Sequence, residues 1–301
     1  KFSQLPMVAT PIADTAGNTN EYYGHDEIST AYSDFDPSSG QPLGTYSGQF
    51  MADDFADEFR SPVVHVRWWG SYIRDQIYQP VDRFLISFET DIPAQAGGLD
   101  YSRPGEPLLN QVVFKAPVLT PGSGTYTEKL VRGPDPILGE SLYEYNAELH
   151  LDKPFPQEPD TVYWLKIVAL VDVDDPTQQE RTQWGWHNRD YTIPNPWASP
   201  KVLPGEAIVG AVGPDAPVWH FQDNAVSGFV GINPFGPGGL EMPEVIQDVA
   251  GPEYYVDGWD GPDGISQYSK DLAFELYTVP EPATVALLGA GLVVTLLRRR
   301  R

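Results

Sequence analysis

Apolar and polar residues alternate with period two through much of this chain, and no window of 12 or more residues outside positions 279–301 carries an apolar stripe at helical spacing. In Tyr143–Leu151, Tyr143, Tyr145, Ala147, Leu149 and Leu151 share one face, while Glu144, Asn146, Glu148 and His150 share the other. Arg83–Thr90 groups Phe84, Ile86 and Phe88; Val63–Tyr72 groups Val64, Val66, Trp68 and Tyr72; Asp271–Tyr277 groups Leu272, Phe274 and Leu276. Thr161–Val171 is apolar on both faces, as a central strand buried between layers would be. Gln111–Ala116 and Asn224–Val230 read as further strands. With 28 glycines and 30 prolines to punctuate short elements, the pattern predicts an all-β chain, a jelly-roll-like β-sandwich over residues 46–278 with long Gly/Pro-rich loops. Residues 1–45, polar and rich in Gly, Asn, Ser and Tyr, read as an N-terminal arm, and 188–265 as loops with sparse strand pattern. No internal repeat divides the 301 residues, so one domain is expected.

Charge narrows the partners. There are 42 acidic and 19 basic residues, a formal net charge of −23. Without the four terminal arginines and Glu281, 41 acidic residues face 15 basic ones, so the body is more acidic still. Such a surface repels phosphate backbones and anionic lipid, which excludes nucleic acid as a partner class, yet it suits divalent cations. The absence of cysteine removes disulfides, thiolate metal sites and cysteine nucleophiles together. The chain starts at Lys1 with no signal-like segment before it, as expected of a mature N-terminus after export.

The composition breaks sharply at Val279-Pro280-Glu281-Pro282. From Ala283 to Leu297 there is no charge, and Arg298, Arg299, Arg300 and Arg301 follow. As a short C-terminal hydrophobic helix this stretch would span roughly 22 Å at about 1.5 Å per residue, against a hydrocarbon core of about 30 Å. Snorkelling arginines and local thinning can make up the difference. The arginines would stay cytoplasmic and the acidic body outside. Pro280 and Pro282 hold Glu281 in an extended segment that a processing enzyme can grip.

Pro280-Glu281-Pro282, a short apolar run and a terminal arginine cluster, in that order, resemble the PEP-CTERM sorting signal of exosortase substrates. The resemblance implies export, recognition of those three residues by a membrane-embedded exosortase-type enzyme, transient membrane anchoring, and residence in the envelope or an extracellular polysaccharide matrix. The body holds Ala52-Asp53-Asp54-Phe55, Trp68-Trp69-Gly70-Ser71-Tyr72, Ser102-Arg103-Pro104-Gly105-Glu106, Tyr163-Trp164-Leu165, Gln183-Trp184-Gly185-Trp186 and Asp223-Asn224-Ala225-Val226. In that order they resemble an uncharacterised extracellular β-domain of surface proteins with this kind of tail, over roughly residues 45–278. That resemblance brings no catalytic residues.

Two constellations suggest ligands. Asp257, Asp260 and Asp263 sit in a glycine-rich loop, and Asp34 and Asp36 place alternate oxygens before Ser38. Calcium gathers such carboxylate and backbone oxygens, so a structural Ca²⁺ is expected at one of these places. Asp172, Asp174 and Asp175 form a third acidic turn. Trp184 and Trp186 share a strand face and could stack on sugar rings, whereas Trp68 and Trp164 read as core. Catalytic patterns are missing: no nucleophile elbow, no HExxH, no phosphate-binding glycine loop, and five scattered histidines. The reading is an exported, non-enzymatic surface or matrix protein able to self-associate through edge strands. A calcium-assisted carbohydrate-binding module is the alternative, and a glycoside hydrolase the third.

Overall fold

The computed structural model describes residues 2–13, 19–96, 98–118, 123–150, 152–202, 206–212, 216–221, 225–234, 243–252 and 271–278. The chain is almost entirely β. Its strands are β1 (Phe2–Gln4), β2 (Thr10–Ala13), β3 (Thr19–Tyr22), β4 (Asp26–Ile28), β5 (Thr30–Phe35), β6 (Pro42–Phe55), β7 (Val63–Tyr72), β8 (Arg83–Ile92) and β9 (Arg103–Lys115). Then come β10 (Gly124–Arg132), β11 (Leu142–Glu148), β12 (Tyr163–Val171), β13 (Trp184–His187), β14 (Ala207–Val212), β15 (Ala216–His220), β16 (Val226–Asn233), β17 (Glu244–Pro252) and β18 (Phe274–Thr278). A single 3₁₀ turn at Ile73–Asp75 is the helical exception among the described residues.

One 14-stranded mixed sheet carries the fold, running β1-β18-β7-β11-β10-β9-β8-β12-β5-β6-β16-β17, with β13 joining β7 to β4. Most neighbours are antiparallel, but β9–β10 and β5–β12 are parallel. This order does not itself specify a jelly-roll connectivity. The hydrophobic tail segment lies outside the described residues.

β12 organises the interior. Every residue from Tyr163 to Val171 is buried, so alternation feeds two cores instead of one. Leu165, Ile167, Ala169 and Val171 enter the larger core with Trp68, Phe84, Tyr126, Tyr145 and Trp184. Trp164, Val168 and Leu170 enter the second with Phe50, Leu85, Val112 and Val230. Aromatic contacts bind the larger core: Trp68 stacks on Tyr145 at 5.3 Å, Phe84 meets Trp184 edge-on at 4.9 Å, and Phe88 stacks on Phe155 at 4.3 Å. The Trp-Trp-Gly and Trp-Gly-Trp runs also find their reason here. A Cβ at Gly70 would collide with the Trp184 ring and the Gly185 carbonyl, so glycine lets β13 lie close against β7.

Three expectations shift. Residues 1–45 supply β1, β4 and β5 to the main sheet; Phe2 pairs with Leu276 and stacks on Phe274 at 5.2 Å. Residues 188–265, expected mainly as loops, contain β14 to β17, and β16 and β17 extend the main sheet beyond β6. β17 escaped notice because its inward Val245 and Val249 straddle the polar Gln247. In β7 the register shifts between Val63 and His65 opposite β18, so Val63 enters the core in place of Val64.

Phe84→Ala should cost about 3–5 kcal/mol in urea unfolding, because the side chain is fully enclosed by aromatic neighbours. Phe229→Ala, at a side chain 57% exposed, should stay within about 0.5 kcal/mol. Equal effects would contradict this placement of the core.

Candidate functional site

The residues singled out in the sequence do not converge. Pro280, Glu281, Pro282, the segment Ala283–Leu297 and Arg298 to Arg301 lie outside the described residues, as do Asp257, Asp260 and Asp263. Among the described residues no helix is long and apolar enough to cross a membrane. Asp36 is spent on the turn between β5 and β6, accepting hydrogen bonds from the Ser38 and Ser39 amides at 2.7 and 3.0 Å and from the Ser38 hydroxyl at 2.5 Å. Those bonds, the Ser38 hydroxyl foremost, hold its carboxyl below the usual range. Asp34 instead accepts from Thr45 and Ser47 on β6 at 2.7 and 3.1 Å. Asp172 is held by Tyr46 and Arg83, and Asp175 by the Thr177 amide at 2.7 Å. No group of three or more His, Asp or Glu suited to a metal ion occurs among the described residues.

Trp184 and Trp186 correct the sugar-stacking expectation. Both are fully buried. Trp184 donates its indole N–H to the Tyr145 hydroxyl at 3.0 Å, and Trp186 donates to the Ala273 carbonyl at 2.9 Å. Their shared face looks into the sheet stack, not toward solvent, so neither ring offers a platform.

A concave surface lies elsewhere among the described residues, between β9 and β17. A groove of about 480 Å³ is lined by Pro107, Leu108, Leu109, Pro154, Pro243 and Val245. A smaller cavity of about 190 Å³ shares Pro107 and Val245 with it and reaches Glu89, Gly105, Glu106 and Gln247. The wall behind this cavity is the second core. There Lys166, wholly buried on β12, pairs with buried Glu89 on β8 at 2.5 Å and contacts the Gln247 carboxamide oxygen of β17. Gln247 donates to the other Glu89 oxygen at 2.8 Å, and Ser87 donates to the first at 2.8 Å. The Lys166 ammonium also sits 4.5 Å from the Phe50 ring centroid. Burial lowers the Lys166 pKa, and the Glu89 carboxylate opposes that shift. Two acidic residues, Glu89 and Glu106, line the cavity, and the Glu89 carboxylate is held by Lys166, Gln247 and Ser87.

Two other buried charge clusters hold loops to the sheets. Arg189 bridges Asp271 at 3.2 Å and Glu206 at 3.1 Å, while Asp53 accepts the Leu272 amide at 2.7 Å. Burial first, and then the charge of Asp271, push the Asp53 carboxyl well above its usual range. The second cluster joins β4, β13 and the turn before β11. His187 lies between the Asp26 carboxylate at 3.2 Å and the Met7 carbonyl at 2.8 Å. Nearby, Glu140 accepts the Arg74 amide at 2.8 Å in a turn where Arg74 and Asp75 both have positive φ. Burial, helped by Asp26 and Asp135, pushes the Glu140 carboxyl up to about 7.

These polar clusters were missed in the sequence, although one carried a signal. Lys166 is the single charged residue in Tyr163–Val171, and a lysine in a strand buried on both faces requires a buried partner. The partners Glu89 and Gln247 come from distant strands, which no local pattern could indicate.

Between pH 4.5 and about 7 the folded chain keeps a proton on Glu140 that the unfolded chain has released. This group's contribution to stability therefore falls as pH rises through that window. Urea midpoints measured across it should fall less steeply in Glu140→Gln than in the parent chain. Identical slopes would contradict the assignment.

Residues 1–212 match a protein-family model described as Domain of unknown function (DUF7901), and residues 278–301 match the PEP-CTERM protein-sorting motif. The first match takes in 1–44, which the sequence resemblance had left out, and stops within the region of β14. No curated protein and no solved structure matches the chain. Its sorting motif marks it as an exosortase substrate exported to the cell surface or envelope. By the match over 1–212, the chain belongs to the family described as Domain of unknown function (DUF7901).

Proposed function

We propose that this chain is a non-enzymatic structural component of the cell surface or extracellular matrix, delivered by its sorting tail and then released from it. The observation that carries the reading is where the motif begins. β18 ends at Thr278, paired with β7 on one side and β1 on the other, and the sorting motif covers 278–301. Cleavage just beyond that strand would leave the β body whole, with no strand of the main sheet cut. Support for a structural role comes from the interior. Both cores are filled, the two candidate stacking indoles are consumed by packing, Asp36 and Asp175 hold their own turns, and Asp34 and Asp172 are held by side chains of neighbouring strands. The strongly acidic body suits a hydrated polyanionic environment by staying soluble in it.

Mass spectrometry of the C-terminal peptide from the native protein should find a terminus at or near Pro280-Glu281-Pro282, with the protein in the envelope or matrix fraction. A strain lacking the exosortase should retain the tail through Arg301. An untrimmed terminus in both strains, with the protein in the cytoplasm, would overturn the reading.

A further inference from the structure

We propose that Lys166 and Gln247 become joined by an intramolecular isopeptide bond, with Glu89 as the group that moves the proton between them. The three side chains meet beside the second core, with the Lys166 nitrogen against the Gln247 carboxamide and the Glu89 carboxylate spanning the two. The Lys166 Nζ donates to Glu89 Oε1 at 2.5 Å and lies against Gln247 Oε1. Gln247 Nε2 donates to Glu89 Oε2 at 2.8 Å. One carboxylate thus touches both the nucleophilic nitrogen and the leaving nitrogen, as a proton shuttle must.

The reaction balances without a co-reactant. Glu89 takes one proton from the Lys166 ammonium, and the neutral amine attacks the Gln247 Cδ to form the new C–N bond. The protonated Glu89 then donates to Nε2, the old C–N bond breaks, and ammonia leaves, taking up the remaining released proton as ammonium. Glu89 ends as the carboxylate it was at the start. Nothing is oxidised or reduced. Three features of the surroundings favour the step. Burial makes the ammonium easier to deprotonate, because a low-dielectric site disfavours its charge. Lys166 and Glu89 are almost wholly closed to solvent, which suppresses hydrolysis of the activated amide. Gln247 and Glu89 also line the cavity of about 190 Å³ under β17, which gives ammonia an exit.

The bond would tie β17, at the end of the sheet path, to β12, the strand that separates the two cores. In a chain with no cysteine it would do what a disulfide does for an exported protein.

Peptide mapping by mass spectrometry of the purified full chain tests this. The expected result is a cross-linked pair of peptides containing Lys166 and Gln247, lighter than their sum by one ammonia. Glu89→Gln and Lys166→Arg should each return both peptides as separate species of full mass. If either variant fails to fold, the parent chain decides alone. Separate, full-mass peptides from the folded parent chain after prolonged incubation would overturn the proposal. Loss of one water, with Lys166 joined to Glu89, would overturn it as well.

Discussion

The burial of β12 on both faces is the constraint from which the rest of the architecture follows. A strand with no solvent side must be covered twice, and the chain does so with different material on each face. Trp68, Phe84, Tyr145 and Trp184 make an aromatic layer on one, while Val112, Val226 and Val230 with Phe50 make a mixed, valine-rich one on the other. β6 serves both, with Met51 and Phe55 directed to the first core and Phe50 and Ala52 to the second. Because one strand is the shared wall, loosening either core exposes apolar surface of the other.

That arrangement also explains the chemistry inside. A lysine placed on β12 cannot reach water, so Glu89 and Gln247 must satisfy it from neighbouring elements. The buried Arg189 and His187 follow the same rule, each meeting carboxylates from segments far away in sequence. These pairs pin the N-terminal residues, β13 and the segment before β18 to the sheet. An acidic chain with few cations has placed Lys166 and Arg189 inside, where each fixes a join between elements.

Much of this was legible beforehand and some was not. Alternation in Tyr143–Leu151, Arg83–Thr90 and Asp271–Tyr277 located β11, β8 and β18, and the run at Thr161–Val171, apolar on both faces but for Lys166, marked the central strand. Local pattern sufficed there because burial on one or two faces writes itself into the period. It failed for β17, where an inward Gln247 interrupts the apolar face to meet Lys166. It failed for Trp184 and Trp186 because two aromatics on one face look alike whether that face is covered or bare; coverage is decided by Phe84, Tyr145 and Phe274, far away in the chain. The Asp34 and Asp36 pair looked like cation ligands for the same reason, since carboxylates that brace a turn or a strand pair share a composition with metal-binding ones and differ only in where the N–H and O–H donors point.

Native-state hydrogen exchange addresses the shared wall most directly. If β12 couples the two cores, its amides from Leu165 to Leu170 exchange only through global unfolding, with the same denaturant dependence as core amides of β7 on one side and β16 on the other. Exchange of β16 and β12 together at low denaturant, while β7 stays protected, would show that the second core opens by itself and would contradict the account.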